Sequence, residues 1–378
     1  MLQKRIIVVV VTGFLALFLV QCKKKAGDED LNPDGSFDKA AMLANVGENI
    51  IIPAYADLKI SINNLSENTD TFIKNPTTQH LQEIQSAFIN AYTRYESVST
   101  FEFGPADAEL LRASFNIFPC DTTKINSKII AGNFDFSTVS DIDVKGFPAI
   151  DFLLFNRTPN DTVILSRFTT AANASNAKLY LRALVNELKH KADAVNAGWS
   201  PSGGNYITKF KSDLGSSVGS SLGLLVNQFK YDYENLKNAR IGIPLGKKSM
   251  GTTFPDKVEA FYSGKSLLLA IEQLKSIENI YLGRDAKGND GLGFDDYLAA
   301  LKAQHPLGPL NEVIKNKISS AKNELIKLQN ENFSELIKTN PAQIEAAYLQ
   351  IYQLTVLIKV DMPSAFGVMI TYEDNDGD

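Results

Sequence analysis

Apolar residues recur at three- and four-residue steps along most of this chain, which is the spacing that places them on one face of a helix. Alternating runs of period two, which are typical of half-buried strands, are scarce. The sequence therefore predicts an all-α fold. Four stripes carry this prediction: Leu81, Ile84, Phe88, Ala91 or Tyr92 and Tyr95; Ala177, Leu181, Leu184, Leu188 and Ala192; Ile314, Ile318, Ala321, Leu325 and Leu328; and Ile344, Ala347, Ile351, Leu354 and Ile358.

Start and break signals divide the predicted helices. The pair Asn340-Pro341 predicts a helix start, because Asn can cap a helix and Pro fits its first turn. Pro53 predicts a kink or break in the first long helix. Two stretches, 103–143 and 237–255, are rich in Gly, Pro, Asp, Asn and Ser and are predicted to be long and irregular. A further break at 199–204 suggests two comparable halves.

Composition narrows the class of protein. The 378 residues are 44% hydrophobic, which is enough to bury a full-sized core. The net charge is -5 at pH 7, and no long basic run offers a footprint for a phosphate backbone. Nucleic acid is therefore excluded as an expected partner.

The first residues read as an export signal. Lys4 and Arg5 precede an apolar run over 6–20, which is shorter than the roughly 20 residues of a helical membrane span. The run ends at 19–22, Leu-Val-Gln-Cys, which resembles a bacterial lipobox. Residues 1–21 are thus predicted to be a lipoprotein signal peptide and Cys22 the lipidated residue, which would anchor the protein to a membrane of the cell envelope, on its periplasmic or surface face.

The ends of the mature chain are predicted to lie outside the folded domain. Residues 22–36 lack the apolar side chains needed to bury a core, so they read as a flexible tether. Residues 373–378 form an acidic tail. With Cys22 acylated, Cys120 is the remaining thiol, and one cysteine cannot form an internal disulfide.

One short segment resembles a known signature. The segment Gly146–Asp151 reads Gly-Phe-Pro-Ala-Ile-Asp and is followed by an apolar run. It resembles the Gly-x-His-x-x-Glu motif of the imelysin-like family, listed among peptidases as M75. Pro148 stands where the motif has His, and Asp151 replaces Glu with a carboxylate one methylene shorter.

Other segments extend this resemblance over the chain from about residue 37. Those at 94–105 and 240–263 resemble conserved segments of the family, the second of them in its Bacteroidetes lipoprotein branch, and 374–378 resembles the usual ending of that branch. The resemblance implies one domain, 37–372, built as two four-helix-bundle-like halves. They would cover about 37–199 and 200–372, be related as a pseudo-repeat, and have a ligand groove between them.

The altered motif changes the chemistry that the resemblance implies. A His and a Glu three residues apart on a helix share a face and can hold one metal ion or activate one water. Pro148 has neither a ligating atom nor a titratable group, so the simplest interpretation is a structural role at a helix start near Gly146. Asp151 would then lie in the first helical turn, where the helix dipole favours a carboxylate without any catalytic duty.

The matched segments supply further candidates for the groove. Three acids, Glu96, Glu102 and Glu259, are candidate ligands, although solvated or salt-bridged roles are the usual fate of such residues. Arg94 and Arg240 are candidates for binding an anion, because guanidinium holds carboxylate or phosphate in a two-pronged manner; structural pairing is the alternative. The histidines of the chain, at 80, 190 and 305, show no metal-binding spacing, and no metal site is predicted from them.

Two hypotheses for function follow. The first is a non-enzymatic, lipid-anchored binding protein of the cell envelope, whose groove holds a small ligand or an envelope protein; the resemblance implies an iron- or haem-uptake context. The alternative is a metal-dependent peptidase or hydrolase that uses Asp151 with Glu96, Glu102 or Glu259. Carboxylates alone suit iron or another hard divalent cation better than zinc.

Overall fold

The computed structural model describes residues 36–157 and 160–371, and these residues are mostly helical. Within that part of the chain, the strands form one short antiparallel hairpin, β1 (Gln304–His305) with β2 (Gly308–Pro309). The all-α prediction is confirmed. The predicted signal peptide, the lipidation site at Cys22, nearly all of the predicted tether and the acidic tail lie outside the described residues.

Helices of the predicted first half alternate between long rods and short connecting pieces. They are α1 (Lys39–Asn45), α2 (Ile52–Lys74), α3 (Thr78–Glu96), α4 (Pro105–Ala108), α5 (Leu111–Phe115), α6 (Thr122–Ala131), α7 (Gly146–Leu154), α8 (Asp161–Thr169) and α9 (Ala174–Trp199). Short 3-10 turns lie at Ser99–Phe101 and Val139–Val144. The core of this half forms where α2 packs against both α3 and α9.

The second half is built in the same manner. Its helices are α10 (Tyr206–Ser212), α11 (Ser221–Glu234), α12 (Ser266–Tyr281), α13 (Phe294–Ala300), α14 (Leu310–Ile326), α15 (Phe333–Thr339), α16 (Pro341–Tyr352) and α17 (Met362–Phe366). Here α14 packs between α12 and α16, and α12 also packs against α3 of the first half. The relation of the halves as a repeat stays a prediction.

The four predicted stripes are the buried faces of four helices. They fall on α3, on α9, on α14 and its C-terminal end, and on α16 with the turn and the π-helical segment that follow it. All of their members are buried. The helix start at Pro341 is confirmed, but the side chain of Asn340 makes no capping hydrogen bond.

Three helices contain π-helical segments, which the sequence did not predict. They lie at Val46–Ile51, Asn235–Gly242 and Leu357–Asp361. The first explains how Pro53 is accommodated: a wide turn ends at Ile51 and α2 begins at Ile52, so proline falls in its first turn, where its missing N–H is no loss. The predicted kink or break is thus a change of helix type in a continuous rod.

Both stretches predicted as irregular contain helices. The first, 103–143, contains α4, α5 and α6. The second, 237–255, begins inside the π-helical segment that extends α11 and becomes irregular after Gly242. A composition rich in Gly and Asn therefore occurs here in short helices and in a π-helical segment as well as in loops. Among the described residues, no helix is both long enough and apolar enough to cross a bilayer.

Candidate functional site

A buried arginine lies between two buried glutamates where the two halves meet. Arg240 Nη1 is 2.8 Å from Glu96 Oε2 and 2.7 Å from Glu259 Oε2. The three side chains are 5%, 0% and 1% exposed, so water does not screen their charges. The structure therefore brings together three of the residues singled out from the sequence, and we call them the Arg240 cluster.

Each member of the Arg240 cluster comes from a different element. Glu96 is the last residue of α3, Glu259 lies in the loop before α12, and Arg240 lies on the π-helical segment after α11. That segment ends with Ile243 N–H donating to the carbonyl of Asn238, five residues back, at 2.7 Å. Such wide turns are frequent at functional sites.

A second layer of hydrogen bonds holds Glu259. Its Oε1 accepts from Asn116 Nδ2 at 2.6 Å and lies 3.0 Å from the hydroxyl of Tyr92. The same hydroxyl is 2.6 Å from Asn116 Oδ1, yet a phenol has one proton and can donate to only one of these acceptors. A proton on Glu259 would complete the remaining contact.

Burial dominates the titration of the Arg240 cluster. Loss of water raises the pKa of Glu96 well above its ordinary range and also raises the pKa of Glu259, although the guanidinium of Arg240 opposes both shifts. The two carboxylates in turn raise the pKa of Arg240, against the effect of its own burial. Because one cation faces two acids, we expect one carboxyl to hold a proton near neutral pH.

Sequence reasoning missed Tyr92, Asn116 and Asp232. Tyr92 lies on the apolar stripe of α3, whose pattern predicts core positions, and Asn116 lies in the stretch predicted to be irregular. Asp232, on α11, accepts from Ser99 Oγ at 3.1 Å and from Thr100 Oγ1 at 2.7 Å, beside the cluster. Because α11 also carries Asn227, Lys230 and Glu234, the sequence held no signal that distinguished Asp232.

The altered motif forms the first turns of α7. Gly146 opens the helix with a positive φ of 72°, and Pro148 is its third residue, which confirms the predicted helix start. Asp151 is not in the first turn as predicted, because the helix begins five residues before it. The dipole of its own helix therefore does not explain this carboxylate.

Asp151 instead joins α7 to the loop before α12. Its Oδ2 accepts from the backbone N–H of Tyr262 at 2.9 Å, and its Oδ1 accepts from the backbone N–H of Ser263 at 3.1 Å. The side chain is nearly fully buried. Burial raises its pKa to about 7, more than the hydrogen bonds from Ser263 and Tyr262 lower it, and nearby Glu259 raises it further.

Asp151→Asn should change how stability depends on pH. The carboxyl has a pKa of about 7 in the folded chain against an ordinary 3.8, so the folded state binds the extra proton between these values. Its stabilising effect is therefore full below pH ~4 and is lost as the pH rises through ~7. We expect wild type to lose a few kcal/mol relative to the variant over that range.

Urea unfolding of both proteins at several pH values from about 4 to 8 checks this expectation. Asn keeps one carbonyl acceptor and loses the other, which offsets the two curves by a constant amount. Only the difference between the two slopes of stability against pH reports on the pKa of Asp151. Parallel curves would contradict a raised pKa for this carboxyl.

A cavity of about 310 Å³ opens beside Asp151. Residues of both halves line it, and most of them are apolar or aromatic. Its volume is near the lower end of the range for small-molecule sites, roughly 300–1,000 Å³. The charged members of the lining are the buried Asp151 and the exposed Asp256 and Lys257. Other members that bear on its chemistry are Phe118, Cys120, Pro148, Phe261 and Tyr262.

Cys120 is a protonated thiol in the wall of this cavity. Its Sγ lies 3.4 Å from the carbonyl oxygen of Pro148, to which it donates. Burial raises the pKa of the thiol to about 12, and the carboxylate of Asp151 adds to the shift. Nucleophilic attack and metal ligation both require a thiolate, so this side chain is suited to neither role.

Two candidates from the sequence lie apart from the Arg240 cluster. Glu102 Oε1 accepts from the backbone N–H of Arg112 at 2.9 Å and so anchors the start of α5. Arg94 is exposed on α3 and lines a different depression, together with Asp57 and Glu272. Neither residue forms an ion pair with a member of the Arg240 cluster.

The donor atoms at this junction do not fit a metal ion. No group of three or more His, Cys, Asp or Glu side chains is placed to hold one in residues 36–157 and 160–371. Pro148 offers no donor, so the altered motif supplies a single carboxylate, that of Asp151. The acids Glu96 and Glu259 lie against Arg240, which supplies the positive charge there.

The fold and the site define a class: a helical protein with a buried cluster of one arginine and two glutamates, close to an altered Gly-x-His-x-x-Glu motif. The sequence model of the family described as Imelysin, Peptidase M75, matches residues 51–359. The chain therefore belongs to the imelysin family.

Solved structures share the fold. One is a putative iron-regulated protein A precursor from Parabacteroides distasonis ATCC 8503, with 21% identity, a TM-score of 0.70, and coverage of 86% of this chain and 94% of that one. Another is an imelysin-like protein from Psychrobacter arcticum 273-4, with 16% identity, a TM-score of 0.65, and coverage of 88% and 96%. A comparison with curated proteins gave no match.

Proposed function

We propose that this chain is a non-enzymatic binding protein of the bacterial cell envelope, anchored through a lipid on Cys22, which holds a small ligand at the junction of its halves. The observation that carries the proposal is the cavity beside Pro148 and Asp151. It lies where the family motif has its His and Glu, and its walls come from both halves.

The nearby acids already have protein partners, which favours a ligand-binding role over metal-assisted hydrolysis. A metallohydrolase needs open carboxylate or imidazole donors and a water held by the metal. Glu96 and Glu259 are instead within 2.8 Å of Arg240, and Glu102 caps a short helix. No observation at the site favours the peptidase alternative.

An iron- or haem-uptake system is the proposed context. The support is the name of a relative with the same fold, a putative iron-regulated protein A precursor. The proposal concerns the context and requires no iron bound directly by this chain. Protein levels that do not change between iron-starved and iron-replete cells would count against it.

Metal content separates the proposed function from a metalloenzyme. After equilibration of the full-length protein with iron, zinc or calcium and removal of excess, we expect elemental analysis to find occupancy near zero in wild type. The double variant Pro148→His, Asp151→Glu restores two family residues three apart on α7, so its metal content should rise.

Thr123→His is the matched control for the double variant. It adds one imidazole to an exposed position on α6 that does not line the cavity. A rise in the control equal to that of the double variant would mean adventitious binding. Stoichiometric metal in wild type would overturn the non-enzymatic proposal.

A further inference from the structure

The cavity has a buried acid in its wall that forms no ion pair within the described part of the chain. The lysine of the lining, Lys257, is exposed to solvent. Asp151 forms no ion pair with any lysine or arginine of the described residues, and the charged group that most affects it is another acid, Glu259. Glu259 itself has Arg240 at 2.7 Å. An unpaired buried carboxylate is unfavourable unless it holds a proton or gains a positive partner.

Asp151 retains the capacity to accept such a partner. Its two oxygens accept hydrogen bonds from the backbone N–H groups of Tyr262 and Ser263 and from the side chain of Ser263, which leaves one of the roughly four acceptor positions of the carboxylate open. The two backbone bonds also fix the orientation of the carboxylate. A group entering the cavity would therefore meet an acceptor that is already positioned.

The remaining walls suit the body of an organic cation. Phe118, Phe261 and Tyr262 supply aromatic surface, which attracts positive charge and packs against methylene groups. Phe261 already makes a cation–π contact with a guanidinium, because the Arg157 carbon Cζ lies 4.6 Å from the centre of its ring. Aromatic rings that can attract a cation therefore line the cavity.

Other ligand classes fit less well. An inorganic cation would find one buried carboxylate, because the other acid of the lining, Asp256, is exposed to water and Cys120 is a neutral thiol. An anion would be repelled by Asp151 and by Glu259 behind it. A neutral apolar molecule would fill the space but leave the acid without a partner.

Resting on the proposed function, we propose that the ligand of this cavity carries an N–H-bearing organic cation, an alkylammonium or guanidinium group, that pairs with Asp151. The replacement of the motif's His by Pro148 removes a group that would compete for this acid. Such cations occur in free amines and in lysine or arginine side chains. Both present the same head group to the cavity, attached to a short apolar stem.

Ligand-observed saturation-transfer NMR on the full-length protein at about pH 8 tests the proposal, since Asp151 is then largely ionised. The probes are n-butylamine, n-butanol and butyrate, which share a stem and differ in charge. We expect butylammonium to bind with a Kd on the order of millimolar, as suits so small a ligand, and at least about tenfold tighter than the other two. N-acetyl-lysine amide, compared with n-butylamine, distinguishes a side-chain source from a free amine.

Three variants locate the binding. Asp151→Asn keeps the size of the side chain and should weaken butylammonium at least about tenfold while leaving butanol unchanged. Thr122→Trp places a large ring at a half-buried position that lines the cavity, and it should abolish binding of every probe. Thr123→Trp, at the exposed neighbouring position, should behave as wild type.

The outcomes separate the two proposals. Equal affinity for amine, alcohol and acid, lost in Thr122→Trp, would overturn the cationic ligand and leave the cavity as a binding site. Binding unchanged by Thr122→Trp, or absent for every probe, would count against both. If Asp151→Asn does not fold, the preference of wild type among the three probes still decides the matter.

Discussion

Arg240→Met should destabilise the protein by about 3–5 kcal/mol, the usual cost of removing one partner from a buried ion pair. Met fills a similar volume, so the loss is electrostatic: Glu96 and Glu259 would remain buried without a cation. The carboxyl that is ionised beside Arg240 in wild type would then have to take up a proton, which makes the penalty larger at high pH. Urea unfolding of wild type and variant, at about pH 6 and pH 8, measures both effects.

A second arginine provides the matched control for Arg240→Met. Arg94 is exposed on α3, and Arg94→Met should change stability by no more than about 0.5 kcal/mol. Adding Glu96→Gln and Glu259→Gln to Arg240→Met should recover part of the lost stability, because no charge is then left buried. If the two arginine variants lowered the free energy of unfolding equally, the Arg240 cluster would not stabilise the fold as proposed.

Gly146→Ala should cost about 3 kcal/mol, from backbone strain and a steric clash together. Gly146 has a φ of 72°, and a Cβ there would lie 2.3 Å from the carbonyl oxygen of Phe115. That neighbour is backbone, so a side-chain rotation cannot relieve the contact. Because Asn116 follows Phe115, we also expect the displacement to disturb the hydrogen bond from Asn116 to Glu259.

The control for Gly146→Ala isolates the cost of the dihedral angle. Gly132 ends α6 with a φ of 64°, and its nearest contact to an added Cβ would be an ordinary 3.5 Å. Gly132→Ala should therefore cost about 1–2 kcal/mol, the price of a left-handed conformation alone. If chemical denaturation gives both variants the same loss, the close approach of Gly146 to Phe115 has no energetic role.

The helices were predictable because their apolar faces follow one physical rule. Stripes such as Leu81 to Tyr95 and Ala177 to Ala192 must be buried, and helical packing is the way to bury a face of that period. The π-helical segments were not predictable in this way. A single extra residue in a turn, as at Asn235–Gly242, leaves the apolar pattern almost unchanged while rotating everything that follows it.

The candidate site was predictable in part, through matched segments and not through spacing. Those segments included Glu96, Arg240 and Glu259, which meet in the structure, but equally Glu102 and Arg94, which do not join them. Distances between elements far apart in sequence decide such a question. Sequence also could not show that Asp151 accepts two backbone N–H groups from residues more than a hundred positions away.

The Arg240 cluster has a consequence for motion between the halves. Many binding proteins close around their ligands by hinge bending, which requires an interface that can open to water. Here, opening would separate the guanidinium of Arg240 from Glu96 on α3, so a rotation would break a strong attraction that water does not screen. We therefore expect a receptor whose shape is the same before and after binding, with selectivity set by the preformed cavity and not by closure.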